Sequence, residues 1–308
     1  MTLTSLKSCF LLIVMLVGCC QFAEAQEVHS LGVFTGFTIP YTWDEGFNKD
    51  PRYRVKYNLK FAPIGIHYGV DRPGFGFTLD PSIFKAGQQF NVINIAGGDV
   101  GERNINLTYF HVPAGFKLHL IDMSFFKVSF VASASVAYLV AGEETISHSN
   151  SKLHFSSSVY PSLPPDYLVE YDGVIVPSLR NHKLLEKKDF NSLQFYGAIG
   201  FRSDWDVGEN YRISFDLRGY YGILDTRKQD YIDRVNDNTA IYDIPGKRRE
   251  MFAYLTVGFS RIVEFDIREK RKKNQKNVGS QTGPVQSKYQ HLHGGQSKKK
   301  HSPPKKKN

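Results

Sequence analysis

Cysteine is almost missing from this 308-residue chain, and the three that occur, Cys9, Cys19 and Cys20, are crowded into its first 20 positions. That stretch has the marks of a secretory signal. Lys7 opens it, Cys9 to Gly18 is an apolar run too short to span a bilayer, and Ala23-Glu24-Ala25 offers a small-x-small cleavage site. Cleavage after Ala25 is the expectation. The mature chain then starts at Gln26 with no cysteine, which excludes disulfides, thiol catalysis and a thiolate metal site. Leu16-Val17-Gly18-Cys19 also fits a lipoprotein box, with Cys19 as the lipidated residue.

Long apolar runs are missing as well. Beyond the signal, no stretch approaches the ~18 consecutive apolar residues of a helical membrane span. No serine–histidine or phosphate-cradling motif stands out, and Gly97-Gly98-Asp99-Val100-Gly101 reads as a loop turn. His291-Leu292-His293 with His301 lies in a lysine-rich stretch and reads as incidental, so no metal, cofactor or catalytic residue is expected. Acid is scarce only at the C-terminal end: from Ile267 to Asn308 there are thirteen Lys or Arg against Glu269 alone. The net charge of +9 therefore belongs to the tail, and the body is left at about −3.

What the chain has in abundance is two-residue alternation. Leu193, Phe195, Ile199, Phe201 and Trp205 share one parity, while Gln194, Arg202 and Asp204 share the other. After a short turn, Tyr211, Ile213, Phe215, Leu217, Tyr221 and Ile223 alternate with Arg212, Ser214, Asp216 and Arg218. An aromatic-rich face opposite one carrying charges of both signs suits a strand between lipid and a polar interior. Eight such segments are expected, at 30–40, 60–71, 74–85, 104–120, 124–142, 191–205, 210–224 and 250–265. The connections after the second, fourth and sixth are short, and those after the first, third, fifth and seventh are long. Outer-membrane barrels have short periplasmic turns, long extracellular loops and an even strand number.

The fold expectation is therefore all-β: an eight-stranded antiparallel transmembrane β-barrel with long extracellular loops and a disordered basic C-terminal tail. The division is a signal peptide over 1–25, the barrel over 26–266 and the tail over 267–308. A barrel of eight strands has an interior just wide enough for its own side chains. The group Lys117, Lys127, Arg202, Asp204, Arg212, Asp216 and Arg218, with His67, Asp71 and His119, then reads as an ion-paired plug rather than a pore or catalytic pocket. Asp204 and Asp216, imaginable as a general-acid pair, fit ion pairing better.

The tail carries Arg268, Lys270, Arg271, Lys272 and Lys273, then Lys298, Lys299, Lys300, Lys305, Lys306 and Lys307. Low hydrophobicity and like charge predict disorder. Following the eighth strand, it is expected in the periplasm, like the N-terminus, which argues against nucleic acid as its partner. Anionic lipid headgroups, peptidoglycan carboxylates or an acidic patch on a periplasmic protein fit better, beside the reading of a solvated tail. In the loop from Gly142 to Phe190, Tyr167-Leu-Val-Glu-Tyr171 and Val174-Ile-Val176 are expected to extend the flanking strands or form a small hairpin.

The segment Asn104 to Leu120, with Val112-Pro113 and Phe116-Lys117, resembles a recurring segment of the PorT-like outer-membrane barrels of Bacteroidota. Asp71-Arg72-Pro73-Gly74-Phe75-Gly76-Phe77 and Tyr254-Leu255-Thr256-Val257-Gly258-Phe259 are similar to that family too. The resemblance covers about 30 to 265 and implies an integral outer-membrane protein. The founding member is an accessory component of type IX secretion, which supports gliding in some species, and many members have no assigned role. The resemblance implies no catalytic residues. The long third loop and the basic tail depart from the family pattern. The functional expectation is a non-enzymatic envelope component, in type IX secretion or gliding, with secretion components and outer-membrane lipid as partners. The alternative is a small channel or surface-binding barrel.

Overall fold

The computed structural model describes residues 27–264. The expected signal segment, the histidines at 291–301 and the basic residues of the tail lie outside the described residues. No helix among the described residues is long and apolar enough to cross a membrane.

In chain order the strands begin with β1 (Val28–Asp44), β2 (Tyr53–Lys56), β3 (Lys60–Arg72), β4 (Phe75–Leu79) and β5 (Ser82–Ala86). They continue with β6 (Gln89–Ile93), β7 (Asp99–Asp122), β8 (Phe126–His148), β9 (Ser151–Leu153) and β10 (Leu168–Glu170). The last five are β11 (Gly173–Val176), β12 (Leu179–Glu186), β13 (Leu193–Val207), β14 (Tyr211–Gly222) and β15 (Arg248–Glu264). Eight wall positions close into a ring of antiparallel neighbours: β1, β3, β4 with β5, β7, β8, β13, β14 and β15. β15 pairs back onto β1 along its whole length, from Val28 opposite Glu264 to Asp44 opposite Arg248. All-β architecture and the expected strand count both hold.

One expected strand is divided. β4 and β5 share the place between β3 and β7, separated by Asp80-Pro81. Proline has no N–H to give to the ladder, so pairing lapses there. The carbonyl of Pro81 still accepts from the Ile66 amide at 2.9 Å, which keeps the two pieces in one wall.

Alternation does what lipid demands of it. Ile199, Phe201, Phe215, Leu217, Leu255, Val257 and Phe259 point outward, 48–64% exposed, while Arg202, Asp204, Arg212, Asp216 and Arg218 between them are buried. Strand ends at one side meet in tight turns. Gly74 and Gly208 stand in two of them at φ +83° and +69°, a conformation that favours glycine. At the other side the connections are long and folded. β8 continues to His148 and pairs with β12, while β9, β10 and β11 form a separate three-stranded sheet. Leu153, Phe155, Val159, Val174 and Val176 bury themselves with Tyr242 in a second core. Of the two expectations for the patches at 167–171 and 174–176, the hairpin holds, as β10 and β11; the flanking strand is extended instead by residues up to His148, paired with β12. The expected turn at 97–101 is shorter than anticipated, because Asp99 already begins β7.

The seam that closes the ring depends on close backbone approach. A Cβ on Gly36 would lie 2.0 Å from the Leu255 carbonyl oxygen and 2.7 Å from the Thr256 Cα. Gly36→Val is therefore expected to push β1 from β15 and cost about 1–3 kcal/mol. Denaturant titration of the detergent-solubilised protein checks this; an unchanged midpoint would show that the seam yields freely.

Candidate functional site

In the lumen, charged, aromatic and hydrogen-bonding side chains converge in three layers. Toward the tight turns, Asp71 is gripped by both Lys117 and Arg212. Lys117 Nζ also lies 3.5 Å from Asp204, which accepts from Arg202 Nε at 2.8 Å. Arg202 donates to Ser214 at 2.7 Å and to His67 Nε2 at 3.1 Å, and the other ring nitrogen of His67 is 2.6 Å from Asp80. A ring protonated at Nδ1 satisfies both neighbours, donating to the carboxylate and accepting from the guanidinium. Arg218 closes the chain, bonding Asp80 at 3.0 Å and Asp216 at 2.5 Å. Each buried charge in this layer faces an opposite one, which is the condition for keeping charge out of water.

The middle layer is aromatic. Phe252 is its hub, with ring centroids of Phe84 and Tyr220 at 4.7 Å, Tyr254 at 4.9 Å and Tyr196 at 5.2 Å. His111 sits among these rings and shares a 2.7 Å hydrogen bond with Ser135. A hydroxyl against an imidazole is half of a nucleophile constellation, but the third member that orients the base is a carboxylate in the working cases. Here the other ring nitrogen meets the Tyr254 hydroxyl at 3.4 Å, and both residues are buried in the barrel interior. The pair serves packing. Between this layer and the charges below lies a cavity of about 20 Å³ lined by Arg202, Asp216, Arg218 and Tyr254. That is room for about one water.

The third layer seals the long-loop end. Arg103 Nε bonds Glu144 at 2.5 Å, Nη1 bonds the Tyr242 carbonyl at 2.8 Å, and Nη2 bonds Asp243 at 2.5 Å. Arg248 bonds Glu144 at 2.6 Å and also Asp44. Asp44 caps the short helix Glu45–Lys49, accepting from the Gly46 amide at 2.7 Å. That helix places Phe47 between the two guanidinium groups, 4.5 Å from Arg103 and 4.7 Å from Arg248, as cation–π contacts favour. Tyr231, from the helix Gln229–Asn236, donates to Asp243 at 2.7 Å. Burial pushes the Asp243 carboxyl up, but Arg103 and Arg248 outweigh it and hold it below the ordinary value of 3.8.

Of the residues the sequence singles out, Lys117, Arg202, Asp204, Arg212, Asp216 and Arg218 come together in the first layer with His67 and Asp71. His119 Nε2 is 3.8 Å from Asp71. Lys127 stands apart: it bridges the β7–β8 turn to Asp122 at 3.3 Å and is half-buried at the ring's end. Sequence reasoning missed the aromatic layer, Asp80, the His111–Ser135 pair and the whole mouth network. Tyr196, Tyr220 and Tyr254 did carry a signal, since they fall on the parity of the charged residues.

A closed antiparallel ring with an apolar outer belt and a paired, filled interior defines a transmembrane β-barrel. The chain belongs to the family of the outer membrane protein beta-barrel domain, which it matches over residues 24–227; the structure supplies the closing strand beyond that range. It is an outer-membrane protein. Among solved structures it is similar to the outer membrane protein OprG of Pseudomonas aeruginosa, at 8% identity over 78% of this chain and 97% of that one, with a TM-score of 0.35. It is similar to Ail, the attachment invasion locus protein of Yersinia pestis, at 11% identity over 78% and 100%, with a TM-score of 0.31. It is also similar to the outer membrane protease OmpT of Escherichia coli, at 9% identity over 79% and 98%, with a TM-score of 0.34. No curated protein matches the chain.

Two outcomes follow from the ion pairs. Asp71→Asn leaves Lys117 and Arg212 short of a carboxylate in a buried place and is expected to cost about 3–5 kcal/mol in denaturant titration; a loss under 1 kcal/mol would mean that water reaches the layer. At the mouth, a carboxyl held below its unfolded value stabilises above that value and loses its effect as pH falls through the folded one. Amide exchange over 240–248 is therefore expected to stay slow from neutral pH down to about pH 4. In Asp243→Asn it should be faster throughout, and equal exchange would remove Asp243 as the anchor.

Proposed function

We propose that this protein is a non-enzymatic outer-membrane scaffold, an accessory or assembly component of the cell envelope. The observation that carries the reading is the filled lumen: paired charge at both ends, aromatic rings between, and a cavity of about 20 Å³ beside Arg218. Such an interior leaves no path for a solute, and its serine–histidine contacts, His111 with Ser135, His67 with Ser30 at 3.3 Å and His119 with Ser129 at 2.7 Å, are buried in the ring among paired charges and rings, where a substrate has no access. The tight turns are assigned to the periplasm and the folded loops to the cell surface, as in other barrels of this class. The N-terminus and the basic tail are then periplasmic. The tail's lysines and arginines suit anionic headgroups, peptidoglycan carboxylates or an acidic periplasmic partner, each contributing about 1 kcal/mol near such a surface.

Within this reading, the likeness of 104–120 to PorT-like barrels supports a part in type IX secretion or gliding. Two measurements test it. The purified protein is expected to be silent in planar bilayers, and stepwise ion conductance would overturn the scaffold in favour of a small channel. A full deletion and a deletion of 267–308 are each expected to leave secreted cargo in the envelope; normal secretion from both would remove the secretion role.

A further inference from the structure

We propose that β10 is a docking edge for an extended, basic segment of a partner protein, which adds to the β9–β11 sheet as a fourth strand. The sheet order is β10-β11-β9, so β10 is its edge. The other edge is occupied: the Ile95 amide donates to the Lys152 carbonyl at 3.1 Å. Among the described residues, nothing pairs with the free side of β10.

A row of side chains across this sheet stops short of an occupant. Leu153 is opposite Val174, and Val174 is opposite Val169, so the three share one face. Leu153 and Val174 are fully buried, but Val169 is 46% exposed. The row runs from the second core to an open margin, where the next cross-strand position is empty. On the other face Leu168 is 59% exposed, and Tyr171 in the following turn is wholly exposed. Sheet edges are ordinarily blunted by short length, charge, proline or a bulge; β10 is three residues long with one charge, Glu170, and has neither proline nor bulge.

Charge selects the partner. Glu170 ends β10, with Asp166 and Asp172 flanking it in the chain, and Lys152 bridges Glu170 at 2.5 Å and also Asp172, leaving Asp166 outside that bridge. A strand that places an apolar side chain beside Val169 continues the buried row. Its alternate residues, if Lys or Arg, can lay their stems over Leu168 and carry their charge to the carboxylates. Main-chain hydrogen bonds then supply affinity and alternation supplies specificity. The inference rests on the scaffold reading only in giving the long-loop end a protein partner. Its test uses peptide on the purified full chain, so its failure leaves the conductance and secretion outcomes untouched.

The probe is a fluorescently labelled, alternating Lys-Val peptide added to the full-length protein in nanodiscs of neutral lipid. Saturable binding is expected, with slowed amide exchange at 168–170. It should weaken at least tenfold when the peptide is N-methylated at alternate residues, when Glu replaces its Lys, and in Val169→Lys. Tyr171→Ser, outside the strand, is expected to weaken it less while leaving the sheet intact. Equal binding by the N-methylated peptide, unchanged exchange at 168–170, or dimers cross-linked through β10 without peptide would each overturn the proposal.

Discussion

Closing a small ring of strands takes every inward-pointing group out of water at once, and the rest of the molecule follows from having to satisfy those groups internally. Eight strands leave room for about one water, too little for solvent to do it. Inside this ring the wall therefore carries its own counter-charges: Lys117 and Arg212 on Asp71, Arg202 on Asp204, and Arg218 on Asp80 and Asp216. Each partner arrives from a different strand or from two residues along the same one. The interior thus fixes which strands must be neighbours as firmly as the backbone ladder does. Removing one charge is harmful not because the pair is strongly attractive but because its partner cannot leave.

The same requirement orders the loops. At the long-loop end the ladder runs out, yet Arg103, Glu144 and Arg248 still point inward and still need partners. Those partners come from the connections. Asp44 ends β1 and caps the following helix, Asp243 stands in the segment before β15, and the Tyr242 carbonyl accepts from the same guanidinium as Asp243. Tyr242 then turns its ring to the second core, where its hydroxyl meets His148 at 3.2 Å and Tyr167 at 2.6 Å. A lumen charge is thus linked, residue by residue, to the packing of the outer sheet.

The transmembrane part was legible because lipid enforces a strict rule. Phe201 and Leu217 must face outward, Arg202 and Arg218 cannot, and the two parities can be read by eye. The mouth was illegible for the converse reason. Above the lipid, outward positions such as Asn104 and Asn106 are polar, so the contrast between faces is lost and the expected strands stop at 104 and 142. A register shift hides Glu144 further. Thr108 is opposite Ala141 but Tyr109 is opposite Leu139, so Val140 is an extra residue, and beyond it the inward parity reverses. Glu144 shares its parity with Val136 yet faces the lumen. The division at Pro81 was signalled by the proline itself. The pairing of particular charges was not, because partners such as Arg218 and Asp80 are 138 residues apart and only closure brings them together.

A filled interior also decides where function can reside. Opening a passage would require parting several buried ion pairs at each end and breaking up the aromatic layer between them, so the closed form is favoured by the free energy of those contacts. A ligand that opened the lumen would have to supply that difference through its preference for the open form. Adding a strand at the surface requires none of this. The β9–β11 sheet is already ordered by its own core, so a partner meeting Val169 loses little to loop ordering and breaks no lumen pair. The structure therefore keeps its strongest interactions where nothing needs to move and leaves the β10 edge open where a partner can reach it.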